Sequence, residues 1–122
     1  MLYTCSEDEQ KREQLSELGV EIVHTEMINH HVCLESVMKD LSNRGFNEVL
    51  VEAGSTLVGN LLEHQLIDEF IVYMAPHLLG DASLGLAKLP TIQNMQDRIQ
   101  LEIQSTKSIA QDLKITIKPI YH

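Results

Sequence analysis

The run Glu52-Ala53-Gly54-Ser55-Thr56 gathers a carboxylate, a glycine and two hydroxyl side chains at the end of an apolar stretch. Those types suit a polar, anionic ligand. A carboxylate that ends an apolar strand is costly unless it is paired or faces a cleft. Gly54 would let an anion reach the backbone without meeting a Cβ. If Ser55 and Thr56 open a helix, their N–H groups lack intrahelical acceptors and, with the helix dipole, form an anion cradle. Gly59, one turn on, would let that helix pack closely against a neighbour or a cofactor. The pattern alone is not specific. A glycine in a βα turn followed by Ser or Thr occurs in many domains that bind nothing there, and Glu52 would serve equally in a structural ion pair or at a solvated strand end.

The chain of 122 residues is one domain's worth, read as 1–122, and is long enough for a modest core. Nine Lys plus Arg against eighteen Asp plus Glu give a formal charge of −9, which argues against a nucleic-acid partner. Trp is absent and aromatic residues make up only 4%, so there is no base-stacking platform either. The same acidity repels a free phosphorylated ligand at long range, so any phosphate site must work by local geometry. No apolar run approaches the roughly 18–20 residues needed to span a bilayer. The acidic start "MLYTCSEDEQ" lacks the regions of a signal peptide, and we read the protein as cytoplasmic. Cys5 and Cys33 form no ligand-spaced pair and are expected as thiols. His30 and His31 are adjacent and have no second histidine at i+3 or i+4, so surface loop residues are the expected reading and no metal site is expected.

The elements that must position the motif follow from periodicity. Leu2 to Thr4 reads as a strand tail, and Ser6 with Glu9 forms an S-x-x-E capping box for a helix running to about Leu18, ended by Gly19. Val20 to His24 alternates as a strand. A polar loop around Asn29 follows. Leu34, Val37, Met38 and Leu41 then mark an amphipathic helix with Gly45 at its C-terminal cap. Glu48 to Glu52 reads as a third strand, and a helix from about Ser55 turns Leu57, Val58, Leu61 and Leu62 to one side. Glu69 to Ala75 reads as a strand covered on both faces. The loop Pro76–Gln96 is long enough to suggest function or an embedded turn. "RIQLEIQS" and "DLKITIKPIY" alternate with period two as an antiparallel pair. The expected fold class is α/β: a mixed, mostly parallel sheet flanked by helices, with an antiparallel C-terminal pair.

Ligands in such sheets sit beyond the carboxyl ends of the strands, which is where Glu52 and Gly54 fall. Here the residues carry a resemblance. Glu52-Ala53-Gly54, Thr56-Leu57, Asp68-Glu69, Ala75-Pro76 and Leu79-Gly80 stand at matching intervals. In these the chain resembles the reductase domain of the bifunctional riboflavin-biosynthesis deaminase/reductase family. "LYTCSEDEQKREQLSELGVEIV" resembles the strand-helix-strand before that motif, and "IQSTKSIAQDLKITIKP" the final strands after it. The resemblance implies a dihydrofolate-reductase-like fold. It also implies transfer of a hydride from NADPH to the ribosyl C1 of 5-amino-6-(5-phosphoribosylamino)uracil. Glu52 would contact that substrate, and Gly54, Ser55, Thr56, Leu57, Val58, Gly59 and Asn60 would line the NADPH site. No residue stands out as a nucleophile.

The chain also departs from the family's pattern. Nothing matches its N-terminal strands and Ser-Leu-Asp-Gly-like segment, so the chain is expected to be an incomplete part of the enzyme, with a deaminase domain on the same full-length protein. Ala53 replaces the usual middle Gly, and His77 stands where Lys is common. From Gly45 to Ala87 there is no Lys or Arg, so groups that recognise the NADPH 2′-phosphate are expected upstream or in another chain. The rival reading is a non-catalytic α/β module that associates through a sheet edge. The apolar strand and the family's habits make a homodimer plausible. A generic dinucleotide-binding unit is disfavoured because no G-x-G-x-x-G follows the first strand.

Overall fold

The structure, a computed structural model, describes residues 1–121. Its contacts cluster into two compact units, Met1–Leu50 and Val51–His122, in a chain read from sequence as one domain.

In the first unit β1 (Leu2–Thr4) pairs in parallel with β2 (Ile22–His24) across the helix α1 (Glu9–Glu17). The N-cap of α1 is Asp8, not Ser6. Its carboxylate accepts the Lys11 amide at 3.0 Å, and the Ser6 hydroxyl accepts the Asp8 amide at 3.3 Å. A carboxylate at the cap also gains from the dipole, which a serine does not. The loop expected around Asn29 is a small hairpin, β3 (Met27–Ile28) with β4 (His31–Val32). Asn29 and His30 form its turn at φ 51 and 64, the paired left-handed geometry that follows the twist of the strands. Helix α2 (Leu34–Asn43) lies where its apolar period puts it. Gly45, at φ 89, closes it: the Gly45 amide reaches the Ser42 carbonyl and the Phe46 amide the Leu41 carbonyl.

A charge network ties these elements together. The Tyr3 hydroxyl donates to Asp40 Oδ2 at 2.7 Å, and Arg44 Nε donates to the same oxygen at 2.6 Å. Arg44 also bridges to Glu21 at 2.7 Å. The Asp40 carboxylate therefore joins β1 to the end of α2, and Arg44 carries the network on to Glu21, just before β2. The Tyr3 hydrogen bond, and after it the Arg44 hydrogen bond, hold the Asp40 carboxyl below its ordinary value of 3.8. Desolvation, and next the bond to Asp40, raise Tyr3 above 10.0.

The second unit holds α3 (Ser55–Glu63), β5 (Phe70–Met74), β6 (Gln100–Ile109) and β7 (Asp112–Ile120), with a short 3₁₀ turn at Met95–Asp97. Its sheet has the order β5-β7-β6 and is antiparallel throughout. The mixed α/β character stands, but "mostly parallel" does not: among the described residues only β1 and β2 pair in parallel. The expected third strand, Glu48–Glu52, is not a strand, and its residues are exposed. An apolar run becomes a strand only when a neighbour takes up its amides and carbonyls. Nor is β5 covered on both faces, since Tyr73 is 63% and Met74 52% exposed. Among the described residues the buried apolar side chains here are Leu61 and Leu62 of α3 and Ile117 and Pro119 of β7, whereas Leu57 stays exposed.

Pro119 lies in the middle strand, where a missing N–H is normally excluded. The β5 pairing reaches only Ile117, so at Pro119 β7 is locally an edge and the loss is tolerated. Helix α3 ends with the same hydrogen-bond pattern as α2, but Gln65 occupies the left-handed position at φ 58.

The long loop is fastened along α3. The Lys88 amide donates to the Ser55 carbonyl at 2.9 Å, and the Thr91 amide and hydroxyl donate to Glu63 at 3.2 and 2.6 Å. Between them a Cβ built on Gly59 would collide with the backbone carbonyl of Lys88. Only a glycine fits there.

Three outcomes follow. Gly59→Ala should destabilise the protein by about 1–3 kcal/mol, because the obstacle is backbone and cannot rotate away; chemical denaturation measures it. Gln65→Gly should stabilise by about 0.5–1 kcal/mol by relieving a left-handed non-glycine residue; a thermal melt showing no gain would contradict this. Asp40 titrates lower folded than unfolded. Its contribution is therefore complete above the unfolded value and fades as pH falls through the folded one. Asp40→Asn should flatten the acid limb of the stability–pH curve and leave the slope near pH 7 unchanged.

Candidate functional site

The motif read from sequence sits at the N-terminal mouth of α3. Gly54 is the N-cap, at φ −78 and ψ 169, and its carbonyl takes the first helical bond from Val58 at 3.1 Å. No side chain caps this end. The leading amides of α3 therefore keep their donors for an external acceptor. No atom lies within 4 Å of where a Gly54 Cβ would stand, so the corner is open. Glu52 is exposed and forms no ion pair among the described residues. A carboxylate beside an uncapped helix mouth can address a polar ligand that carries an anionic group. The chemistry on offer is binding and orientation.

The residues named from sequence divide between two turns. Gly54, Ser55, Thr56 and Leu57 form the mouth, with Thr56 and Leu57 exposed and Ser55 half-buried. Val58, Gly59 and Asn60 lie one turn further in. Gly59 is buried against Lys88, so the neighbour that its missing side chain admits is this chain's own loop. The Asn60 carbonyl receives His64, whose Nδ1 lies 2.9 Å away and so carries the proton. The mouth thus fits an anionic group. The second turn is occupied by protein.

Sequence reasoning missed that the long loop after β5 lies fastened along α3. Lys88 is the only Lys or Arg between Arg44 and Arg98, and that isolation within a long loop was the available signal. The cavity of about 190 Å³ in this unit lies elsewhere, at the C-terminal end of α3 between Glu63, Gln65, Ile99 and Tyr121. Glu63 is bonded to Thr91 there and the Tyr121 hydroxyl donates to the Ile67 carbonyl at 3.0 Å. That volume is below the roughly 300–1,000 Å³ of small-molecule sites, and we assign it no ligand. Among the described residues no helix is long and apolar enough to cross a membrane.

The family model described as the RibD C-terminal domain matches residues 1–115. The riboflavin biosynthesis protein RibD of Haemophilus influenzae is 38% identical over 70% of this chain and 23% of its own length. The 5-amino-6-(5-phosphoribosylamino)uracil reductase of Buchnera aphidicola is 34% identical over 75% of this chain and 44% of its own. The chain therefore spans about a quarter of that RibD relative and under half of the reductase. Among solved structures, Acinetobacter baumannii RibD superposes with a TM-score of 0.79 at 28% identity, covering 89% of this chain and 29% of that one. A pyrimidine reductase-like protein of Corynebacterium diphtheriae gives 0.77 at 17% identity over 93% of this chain and 44% of that one, which shows the fold alone. With the family match running from Met1 through Ile115, this chain belongs to the RibD C-terminal domain family.

Proposed function

We propose that this chain supplies the nucleotide-holding helix and a substrate-facing carboxylate for reduction of 5-amino-6-(5-phosphoribosylamino)uracil to the ribitylamino phosphate, with NADPH as reductant. One observation carries the reading: the mouth of α3 is open and uncapped, with Glu52 beside it free of any internal ion pair among the described residues. The Haemophilus and Buchnera relatives, named for riboflavin biosynthesis and for this reductase, support it.

When bound, the dinucleotide would supply the hydride, and the carbon chemistry is its own. The chain's residues bind and orient. The amides opening α3 take the phosphates, and Gly54 lets them approach. Glu52 accepts a hydrogen bond from a donor of the pyrimidine–ribosyl compound and so fixes which face of C1 is presented. With the dinucleotide bound, the hydride it supplies to C1 would be matched by a proton from water on O4 as the C1–O4 bond opened, so the ribosyl ring would become the ribityl chain. No nucleophile is required. Recognition of the 2′-phosphate and the deaminase step would fall to other parts of a RibD-type protein or to another chain.

The rival reading is a non-catalytic module or homodimer joined through a sheet edge. It draws on β6, an outer strand whose ten residues are all exposed. Titration calorimetry with NADPH separates the two. The enzyme reading expects measurable but weak binding by this chain and little turnover. In a complete RibD-type reductase carrying this sequence, Glu52→Gln should weaken substrate binding by on the order of 10–100-fold, the worth of a hydrogen bond to a charged group. Cofactor affinity should stay unchanged. No heat with millimolar NADPH, or an unaltered KM in the variant, would favour the module.

A further inference from the structure

The three-stranded sheet carries a row of like charges that nothing else in the second unit answers. In the order β5-β7-β6, Tyr73, Lys114 and Lys107 stand directly opposite one another. They share one face with the next row, Ile71, Thr116 and Ser105, while the buried Ile117 belongs to the other face. The Lys114 ammonium lies 6.0 Å from the centre of the Tyr73 ring. Two lysines directly opposite on antiparallel strands repel each other. Neither closes an ion pair among the described residues, and nor does Lys118 further along β7, although Glu102 stands opposite it. Three of the nine basic residues thus occupy one face in a chain of net charge −9.

A second row of like charges, opposite in sign, runs along α1. Glu9, Glu13 and Glu17 recur every four residues and form a single stripe, in which neighbours oppose each other. Helix α1 buries no residue, and of the three only Glu9 has a cationic partner among the described residues, Arg12 at 3.9 Å. We infer that the face bearing Lys107, Lys114 and Lys118 docks the acidic stripe of α1 on a second copy of this chain. The spacings agree. Glu9 to Glu17 covers about 12 Å along a helix, and Lys114 to Lys118 covers about 13 Å along a strand. A helix laid along β7 therefore sets one carboxylate over each of those lysines, with Glu13 between them, and each row relieves the repulsion within the other. A sheet face has no concavity for a small molecule. The Tyr73 ring, 63% exposed, and Ile71 beside it offer the aromatic and apolar contact that protein interfaces favour. Such a contact runs through the sheet face and leaves the outer edge of β6 untouched.

Sedimentation velocity on the whole chain, over a series of concentrations and salts, tests this. Association should be present near about 20 mM salt and largely lost by about 300 mM, because the ionic attraction is screened. Lys107→Glu with Lys114→Glu should weaken it about tenfold or more, as should Glu13→Lys with Glu17→Lys. Mixing these two variants should restore a complex, since each then offers the other the opposite sign. Lys107→Glu alone places an attractive pair inside the sheet, so it should weaken association while keeping the fold if the double variant does not. A chain that stays monomeric at low salt would overturn the inference. So would association that neither salt nor charge reversal weakens, which pairing through the β6 edge would give. Polyglutamate bound by a chain that remains monomeric would overturn the second copy as occupant in favour of another acidic partner.

Discussion

The second unit depends on a contact that only a missing side chain permits: the Lys88 carbonyl against the Cα of Gly59. The segment after β5 is long, and an unfastened loop of that length loses much freedom on closing for little return. Three attachments hold it to α3, at Ser55, at Gly59 and at Glu63. The middle one sets how close the other two can be. With a methyl group there the loop would stand off the helix, and the amide bond to Ser55 and the paired bonds to Glu63 would stretch together. The burial of Leu61 and Leu62 goes with this arrangement, since so few other apolar side chains of the unit are buried.

The first unit is organised by charge, because its helices bury little. Neither α1 nor α2 contains a buried residue, and Cys33, at the cap of α2, is the buried apolar position. Asp40 compensates by serving two donors at one oxygen, from β1 and from the end of α2, while Arg44 reaches on to Glu21. Isolated exposed pairs contribute little. A network spends side-chain entropy once for several bonds, and so it can fix a helix against a two-stranded sheet.

Local signals were legible in the sequence. The 3.6-residue period of Leu34, Val37, Met38 and Leu41 and the glycine at 45 gave α2 and its end. Ser55 gave the start of α3, and strict alternation gave β6 and β7. Failures came where a second body decides. Glu48–Glu52 has the composition of a strand, but pairing belongs to two segments and composition to one. Ser6 and Glu9 match a capping box, yet Asp8 competes for the same helix end and wins on charge. The hairpin at Met27–Val32 was hidden because its turn uses Asn29-His30 where a glycine would have announced it. At the site, Glu52 and the mouth residues Gly54 to Leu57 could be named from their types. That Gly59 faces Lys88 could not, since the two are far apart in sequence and neither pattern mentions the other.

The mouth of α3 bears on how an acidic chain can hold an anionic ligand at all. Long-range potential opposes approach and is weakened by salt within a Debye length of about 8–10 Å. Short-range donors do not suffer that loss, provided they are aimed before the ligand arrives. Helix α3 aims its opening amides by its own geometry, with no side chain spent on capping them. If the proposed site holds, selectivity for a phosphorylated nucleotide comes from the placement of these few donors and not from net charge.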